Sequence, residues 1–446
     1  MVKLYNYLTR KIEDFTPINP PKVGYYSCGP TTYDFVHIGN LRTFIFEDIL
    51  QRVLESQNFE VKRVMNITDI DDKIIKGAVA SGLGIDEFSK PFEHAFMLDL
   101  AKLNIKYANV FPKATEHIGH MVKYIEELIK KGLAYKEEDG SVYFDISKFP
   151  DYGKLSGLES RTLKTGTRIL SDEYSKDDVS DFALWKAVEP EEVGFDSPWG
   201  RGRPGWHIEC SMMSQEYLGE TFDIHAGAID LLFPHHENEI AQSEGKTSHK
   251  FVNFFVEGEH LLVADQKMAK SAGNFYKLND LIEKGFEPLS FRYLCLTAHY
   301  RDKLNFTWES LQAAQNALNN LRETIRVWDS PDIGCAGFEQ DFKEAINSDL
   351  GMPQALAILW DLVKSDYPTS AKAQTLLEMD KILGLELDKY LGKKLEVPVE
   401  VMKLVHQRET ARKSGDFKES DKLRHEIKKL GYEVRDTPTG PKLKQS

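Results

Sequence analysis

His235 and Glu239 stand four apart in Pro234-His235-His236-Glu237-Asn238-Glu239-Ile240-Ala241-Gln242. That spacing puts both side chains on one face of a helix. An imidazole and a carboxylate so placed can hold a metal ion. Two distant cysteines, Cys28 and Cys210, would complete a set of Cys, His and carboxylate donors of the kind zinc takes. Each residue also has a plainer reading. Cys28 could end a buried strand, Cys210 could belong to the core, and His235 or its neighbour His236 could simply open a helix. Spacing along a chain does not establish proximity. Cys28 gains interest from its neighbours, because Cys28-Gly29-Pro30-Thr31-Thr32 runs on to His37-Ile38-Gly39-Asn40. A thiophilic metal beside a nucleotide site would suit an enzyme that recognises a thiol and uses ATP to activate its owner.

The His37-Ile38-Gly39-Asn40 element has its own chemistry. Free N–H groups and the positive end of the dipole make a helix N-terminus a phosphate site. Gly39 lets a ligand approach the backbone, and a histidine there can donate to charge developing in a transition state. An ordinary strand-to-helix turn with a capping histidine accounts for the tetrapeptide equally well. Lys267-Met268-Ala269-Lys270-Ser271 carries two lysines three apart. Such a loop could close on a triphosphate and stabilise the α-phosphate and the leaving pyrophosphate. Alone, it could also be a solvated basic turn.

The elements that would position these residues are visible as periodicities. Val23-Gly24-Tyr25-Tyr26-Ser27-Cys28 is expected to be a buried strand that breaks at Gly29-Pro30, with a helix from near Gly39 through Val53. Val61 to Ile67 is a second strand at βαβ distance, which predicts a nucleotide-binding parallel sheet. Residues 114–202 change texture: a helical period at 117–133, a short strand at 141–146, then a polar stretch at 171–181. Sheet-type sequence is expected to resume near Trp206 and continue to Asp265. After Leu304 helices are expected at 311–328, 341–347, 353–364, 371–383 and 399–414. The expected fold is therefore α/β, a Rossmann-type parallel-sheet catalytic domain with a mixed insertion, followed by an all-α C-terminal bundle.

Composition narrows the class. The chain has 446 residues, 41% of them hydrophobic, and a formal net charge of -13, enough for two to four domains with sizeable cores. The first residues lack the apolar run of a signal peptide and no apolar stretch reaches membrane-span length. Four widely spaced cysteines fit a reducing compartment. A cytoplasmic protein with no membrane contact is expected. The acidic balance disfavours nucleic acid as a general partner. The last segment, 403–446, is the exception, with 12 Lys and Arg against 7 Asp and Glu. That excess could be a solvated helix face or a local RNA contact.

Taken together, the two short elements about 230 residues apart resemble the paired HIGH and KMSKS signatures of class I aminoacyl-tRNA synthetases. Asn40 and Ala269 stand at variant positions, and both lysines are kept. Longer motifs narrow the resemblance to the cysteinyl-tRNA synthetase family. They are Cys28-Gly29-Pro30-Thr31-Thr32-Tyr33-Asp34, Asn66-Ile67-Thr68-Asp69-Ile70-Asp71-Asp72-Lys73, the run from Ser197 through Trp206 to Cys210, and Asp223-Ile224-His225-Ala226-Gly227-Ala228-Ile229-Asp230 leading into Phe233-Pro234-His235. The resemblance spans about residues 2–440. Ala226 and Ala228 flank Gly227 where that family often has three glycines, and the added methyls would tighten the adenosine pocket.

The resemblance implies a function and residue roles. Cys28, Cys210, His235 and Glu239 would hold one zinc per chain, with the substrate thiolate as an additional ligand. A thiol-to-metal bond would separate cysteine from serine by roughly 10⁴ or more without editing, and the insertion is too short for an editing domain. His37, Lys267 and Lys270 would be catalytic. Pro30, Thr31, His37, Gly39, Asn40, Gly227, Asp230, Lys267, Lys270 and Ser271 would bind ATP with its Mg²⁺. Gly29, Thr68, Trp206 and His225 would contact cysteine, and Asp69, Asp71 and Asp72 could hold the substrate ammonium or a lysine. Cys295 and Cys335 fall outside every motif and are expected to be structural.

The expected division is a catalytic domain in two halves, 1–113 and 203–260, with a connective insertion at 114–202. A KMSKS-type loop and stem-contact region comes next at 261–310, then an anticodon-binding bundle at 311–400 and a basic anticodon-recognition segment at 401–446. The partners would be L-cysteine, ATP and tRNA(Cys), and a monomer is expected. Two competitors remain: a ligase passing activated cysteine to a small amine such as an amino sugar, and a non-catalytic binder of tRNA or cysteine.

Overall fold

The computed structural model describes residues 1–158, 168–169, 180–268, 273–395, 397–437 and 440–445. Ala269, Lys270, Ser271 and most of the polar stretch at 171–181 lie outside the described residues. Two compact units form, Met1–Thr307 with Lys343–Leu356, and Trp308–Phe342 with Ala357–Ser446.

The first unit opens with an antiparallel pair, β1 (Lys3–Asn6) and β2 (Lys11–Asp14). A βαβ unit comes after it: β3 (Lys22–Ser27), α1 (Ile38–Ser56) and β4 (Glu60–Met65). Next come α2 (Asp72–Ser81), α3 (Ile85–Lys102) and α4 (Ile118–Lys130). Five strands, β5 (Ala134–Lys136), β6 (Val142–Phe144), β7 (Arg168–Ile169), β8 (Asp181–Ala187) and β9 (Gly202–Pro204), make a separate mixed sheet inside the insertion. The chain then returns through α5 (Trp206–Leu218), β10 (Phe222–Ala228), α6 (His235–Thr247) and β11 (Val252–Gly258). A small sheet of β12 (Leu261–Val263), β13 (Gln266–Lys267) and β14 (Leu304–Phe306) brackets α7 (Leu278–Glu283) and α8 (Pro288–Leu296).

The main sheet is parallel throughout, in the order β11-β10-β3-β4. Val23, Tyr25 and Tyr26 of β3 and Ile224 and Ala226 of β10 are all buried, as expected of strands covered on both faces. Chain order reverses between β3 and β10, and parallel α/β sheets take ligands beyond the carboxyl ends of the strands at that point. Cys28 directly succeeds β3 and Ala228 ends β10, so the chemistry-bearing residues converge there.

One expectation fails at α5. The run from Trp206 is helix rather than sheet, because every residue from His207 to Ser214 is buried. A helix buried all round carries no polar face and hence no 3.6-residue signal.

Helix α1 is fixed by buried charge. Asp48 bonds Arg292 of α8 at 2.6 Å and Arg52 at 2.7 Å, with Asp48 and Arg292 fully buried. Burial pushes the Asp48 carboxyl up, but the charges of Arg292 and Arg52 outweigh it and hold it below its ordinary value. Removing one partner strands the others, so Asp48→Ala is expected to cost about 3–5 kcal/mol in urea unfolding. A folded value below the unfolded one makes the Asp48 contribution complete above about pH 4. It is lost as pH falls through the folded value. The wild-type–variant gap should therefore narrow in acid; a gap that widens there contradicts the assignment.

Beyond Thr307 run α9 (Trp308–Ile325), α10 (Ala336–Asn347), α11 (Met352–Lys364), α12 (Thr369–Leu383), α13 (Val399–Lys413) and α14 (Phe417–Lys429). The C-terminal region is not all-α as expected. It ends in an antiparallel hairpin, β15 (Tyr432–Thr437) with β16 (Gly440–Gln445). Gly431, at φ 84°, stops α14 in a conformation that favours glycine. Val434 then packs on Val401, Val405 and Ile427, and Arg408, buried on α13, forks onto Asp436 at 2.9 and 3.0 Å. No helix among the described residues is long and apolar enough to cross a membrane.

Candidate metal centre and nucleotide cleft

Three elements bring the four predicted ligands together. Cys28 comes from the end of β3, Cys210 from α5, and His235 and Glu239 from the first turns of α6. Their ligand atoms all lie within 4.8 Å of one another. The two Sγ atoms are 4.0 Å apart and both cysteines are free. A disulfide needs about 2.05 Å, whereas two thiolates on a tetrahedral zinc at about 2.3 Å stand near 3.8 Å apart. His235 Nε2 and Glu239 Oε1 are 3.0 Å apart, fully buried and without a hydrogen bond of acceptable geometry. Unsatisfied buried polar atoms are costly, and a cation between them satisfies both. The donor set and its spacing fit zinc.

The cluster is electrostatically prepared. Burial raises the Cys210 thiol, but its hydrogen bond with Cys28 and the charge of His235 pull it down to about 6. Cys28 goes the other way, pushed up by burial and by Cys210. Burial works against Glu239, yet His225 and His235 hold its carboxyl well below the ordinary range. His235 is lowered by burial and raised more by Glu239 and Cys210, to about 10. One thiolate and one carboxylate are thus favoured at the depth of the site, while His235, raised by those same charges, must give up its proton before Nε2 can take a metal.

Buried partners support this cluster, and sequence reasoning gave His207 and Glu257 no role. His236 donates or accepts at Cys28 Sγ (3.6 Å) and Glu257 Oε1 (2.8 Å). His207 Nδ1 meets His235 Nδ1 at 2.9 Å, so the two rings share a proton. His225 is fully buried with Nε2 2.8 Å from Glu239 Oε2; it sits behind the carboxylate and steers it. Cys28, His225, His236 and Glu239 form a second overlapping group of possible ligands. Its histidines are already engaged with Glu239 and Glu257, as the outer partners of a metal site usually are. A pattern of buried histidines before or after ligands in the chain carries no such signal, since their meeting depends on β10–β11 pairing and α5–α6 packing.

Beside the cluster opens a cleft of about 370 Å³ whose wall includes Cys28, Gly29, Trp206, His37 and Asp230. Pro30, Thr31, Gly39, Asn40 and Ala228 also line it. Trp206 lies against the His235 ring with centroids 4.2 Å apart. Gly29 is required by packing: a Cβ there would come within 1.7 Å of the Asn66 carbonyl. Thr68 is buried and donates to Glu209 Oε2 at 2.8 Å while accepting from Asn66 Nδ2 at 3.1 Å. Gly227 sits in β10 with the His236 ring 3.0 Å from where its Cβ would be. Of the two alanines flanking it, only Ala228 reaches the cleft; Ala226 is buried in the strand.

His37 is the N-cap of α1. Its Nδ1 accepts from Asn40 N and its own N–H donates to Asn40 Oδ1, each at 3.2 Å. The variant Asn40 thereby closes a capping box. With Nδ1 accepting, Nε2 carries the proton of the neutral ring. His37 also meets the Phe275 ring edge-on at 4.9 Å, and Ile38 N donates to Tyr276 O. Lys267 ends β13, while Lys270 and Ser271 are outside the described residues.

The acidic cluster is engaged within the protein. Asp69 accepts from Thr115, Asp71 caps α2, and Asp72 pairs with Arg203 and lies 3.7 Å from Lys186. Cys295 and Cys335 are buried and belong to neither group of possible ligands.

Residues 14–316 match the family described as tRNA synthetases class I (C) catalytic domain, and residues 395–441 match the cysteinyl-tRNA ligase anticodon binding domain. The chain is 45% identical over 471 residues to the cysteine--tRNA ligase of Chlamydia muridarum, covering 99% of each. It is 43% identical over 474 residues to that of Brachyspira hyodysenteriae, covering 100% of this chain and 99% of the relative. Among solved structures, methionyl-tRNA synthetase of Mycobacterium tuberculosis bound by methionyl-adenylate superposes with a TM-score of 0.57 at 13% identity. That match covers 81% of this chain and 90% of the other. At such identity the likeness shows the fold.

Proposed function

Because the chain belongs to the cysteine–tRNA ligase family of class I aminoacyl-tRNA synthetases, we propose that its Cys28, Cys210, His235, Glu239 cluster is the zinc site that selects cysteine by its thiol. The activity is ATP-dependent attachment of L-cysteine to tRNA(Cys). The observation that carries the metal reading is the convergence of two free cysteines 4.0 Å apart with the buried His235–Glu239 pair, all four ligand atoms lying within 4.8 Å of one another. When bound there, zinc lowers the pKa of a thiol and takes it as a ligand, which a serine hydroxyl does poorly.

The protein's own groups do the rest. Gly29 and Trp206 shape the cysteine end of the cleft. Thr68 does not line that cleft; it is buried, with its hydroxyl held between Asn66 and Glu209. The cysteine carboxylate attacks the α-phosphate of Mg²⁺-bound ATP and pyrophosphate leaves. The N–H groups of α1 and His37 Nε2–H meet the charge that develops, and Lys267 and Lys270 neutralise the leaving group. Asp230 and the backbone near Gly227 serve the nucleoside. A terminal ribose hydroxyl of tRNA then takes the cysteinyl group. The basic segment from Lys403 to the end supplies phosphate contacts for the anticodon arm. In this reading one chain with one zinc is the working unit, and four free cysteines suit work in the cytoplasm.

Transfer to an amino sugar is not favoured, since the anticodon-binding match at 395–441 would then have no use. The test offers purified protein radiolabelled cysteine with ATP and either tRNA(Cys) or an amino sugar. Label precipitated with tRNA is expected; label carried only on the sugar overturns the reading.

A further inference from the structure

The geometry points to Arg42 as a positioning residue for the adenosine end of the cleft, an inference that rests on the reading of that cleft as the ATP site. Arg42 lies on α1, five residues past His37, and is 5% exposed. Its Nη1 donates to Glu259 O at 2.9 Å and to His260 O at 2.6 Å. Its Nη2 donates to His299 O at 3.2 Å and to Asp302 O. One guanidinium thus gathers four carbonyls from two segments. Four residues on, Phe46 packs so closely on Gly258 that a Cβ there would stand 2.6 Å from the ring. Positions 42 and 46 share a helix face, so one face of α1 grips the chain where it leaves β11.

That grip matters because Glu259, His260 and Leu261 line the cleft. Two strand spacings, about 10 Å, separate β11 from β3, whose end bears Cys28. Cysteine occupies the Cys28 and Trp206 end and the phosphates meet the N-terminus of α1. The nucleoside is left with the wall that runs from Asp230, past β10, to Glu259, His260 and Leu261, just past β11. The same helix therefore holds the phosphates at its start and the nucleoside wall by Arg42, fixing the distance between them. A lysine cannot reproduce this, since the planar fork of five donors is peculiar to arginine.

The test is Arg42→Lys in the full-length, zinc-loaded protein, assayed by cysteine-dependent ATP–pyrophosphate exchange. The KM for ATP is expected to rise about 10-fold, the loss of one or two buried hydrogen bonds. The KM for cysteine and the zinc content should stay within about twofold. Inhibition by inorganic triphosphate, which offers phosphates without a nucleoside, should not change. An unaltered KM for ATP overturns the inference. So does a parallel loss of triphosphate inhibition or of cysteine affinity, which would mean general loosening. If Arg42→Lys does not fold, Phe46→Leu carries the same test with a smaller shift confined to ATP. Wild-type protein that triphosphate fails to inhibit competitively with ATP would instead remove the reading of the cleft itself.

Discussion

Cys210→Ser is expected to lose zinc and to raise the KM for cysteine by at least about 100-fold, since outer partners of a metal site alone cost 10–100-fold in affinity or activity. Cys210 lies 4.0 Å from Cys28 with the charge of His235 beside it, which favours its thiolate. A serine hydroxyl in its place stays protonated and leaves Cys28, His235 and Glu239 around an incomplete site. Metal analysis of the purified variant and pyrophosphate exchange across a cysteine titration check the two halves separately. The KM for ATP should move little, because Cys210 is buried beneath the cleft and is not part of its wall. Full zinc content with unchanged kinetics would remove Cys210 from the ligand set.

His37→Asn is expected to lower kcat for adenylate formation by about 10²–10³, the cost of losing one donor aimed at developing charge. Asparagine is among the best N-caps, so the helix start is kept while the imidazole is removed. The capping bonds use His37 Nδ1 and the backbone N–H; asparagine can supply both, and the ring with its Nε2–H is removed. Urea unfolding should therefore be nearly unchanged and the KM for cysteine should hold. Retained kcat in His37→Asn, with both stability and kcat lost in His37→Ala, would make His37 a cap and nothing more.

Local chemistry is legible from residue order and long-range chemistry is not. The break after Tyr25-Tyr26-Ser27, the capped helix start at His37 and the shared face of His235 and Glu239 all rest on turns and periods of a few residues. The joining of Cys28 to Cys210 comes from resemblance, and the structure brings them within 4.0 Å through contacts that no local pattern encodes. Helix α5 escapes a reading by period because His207 to Ser214 are buried on every side. The roles of His207, His236 and Glu257 escape it for the same kind of reason: buried polar side chains declare themselves only through their partners. His225 is expected beside the thiol and lies behind Glu239 instead. Asp69, Asp71 and Asp72 could hold the substrate ammonium or a lysine, and spacing leaves both open. The structure commits Asp69 to Thr115 and Asp71 to the start of α2, while Asp72 pairs with Arg203 and stands 3.7 Å from Lys186, the lysine alternative.

The central claim is that the metal meets the substrate's sulfur. Replacing zinc by cobalt(II) gives the site an optical spectrum that reports its ligands. Adding cysteine to the cobalt protein is expected to strengthen the sulfur-to-cobalt charge-transfer band, and adding serine at the same concentration should leave the spectrum as it was. A spectrum that cysteine does not change, or that serine changes equally, would mean that the metal does not read the thiol.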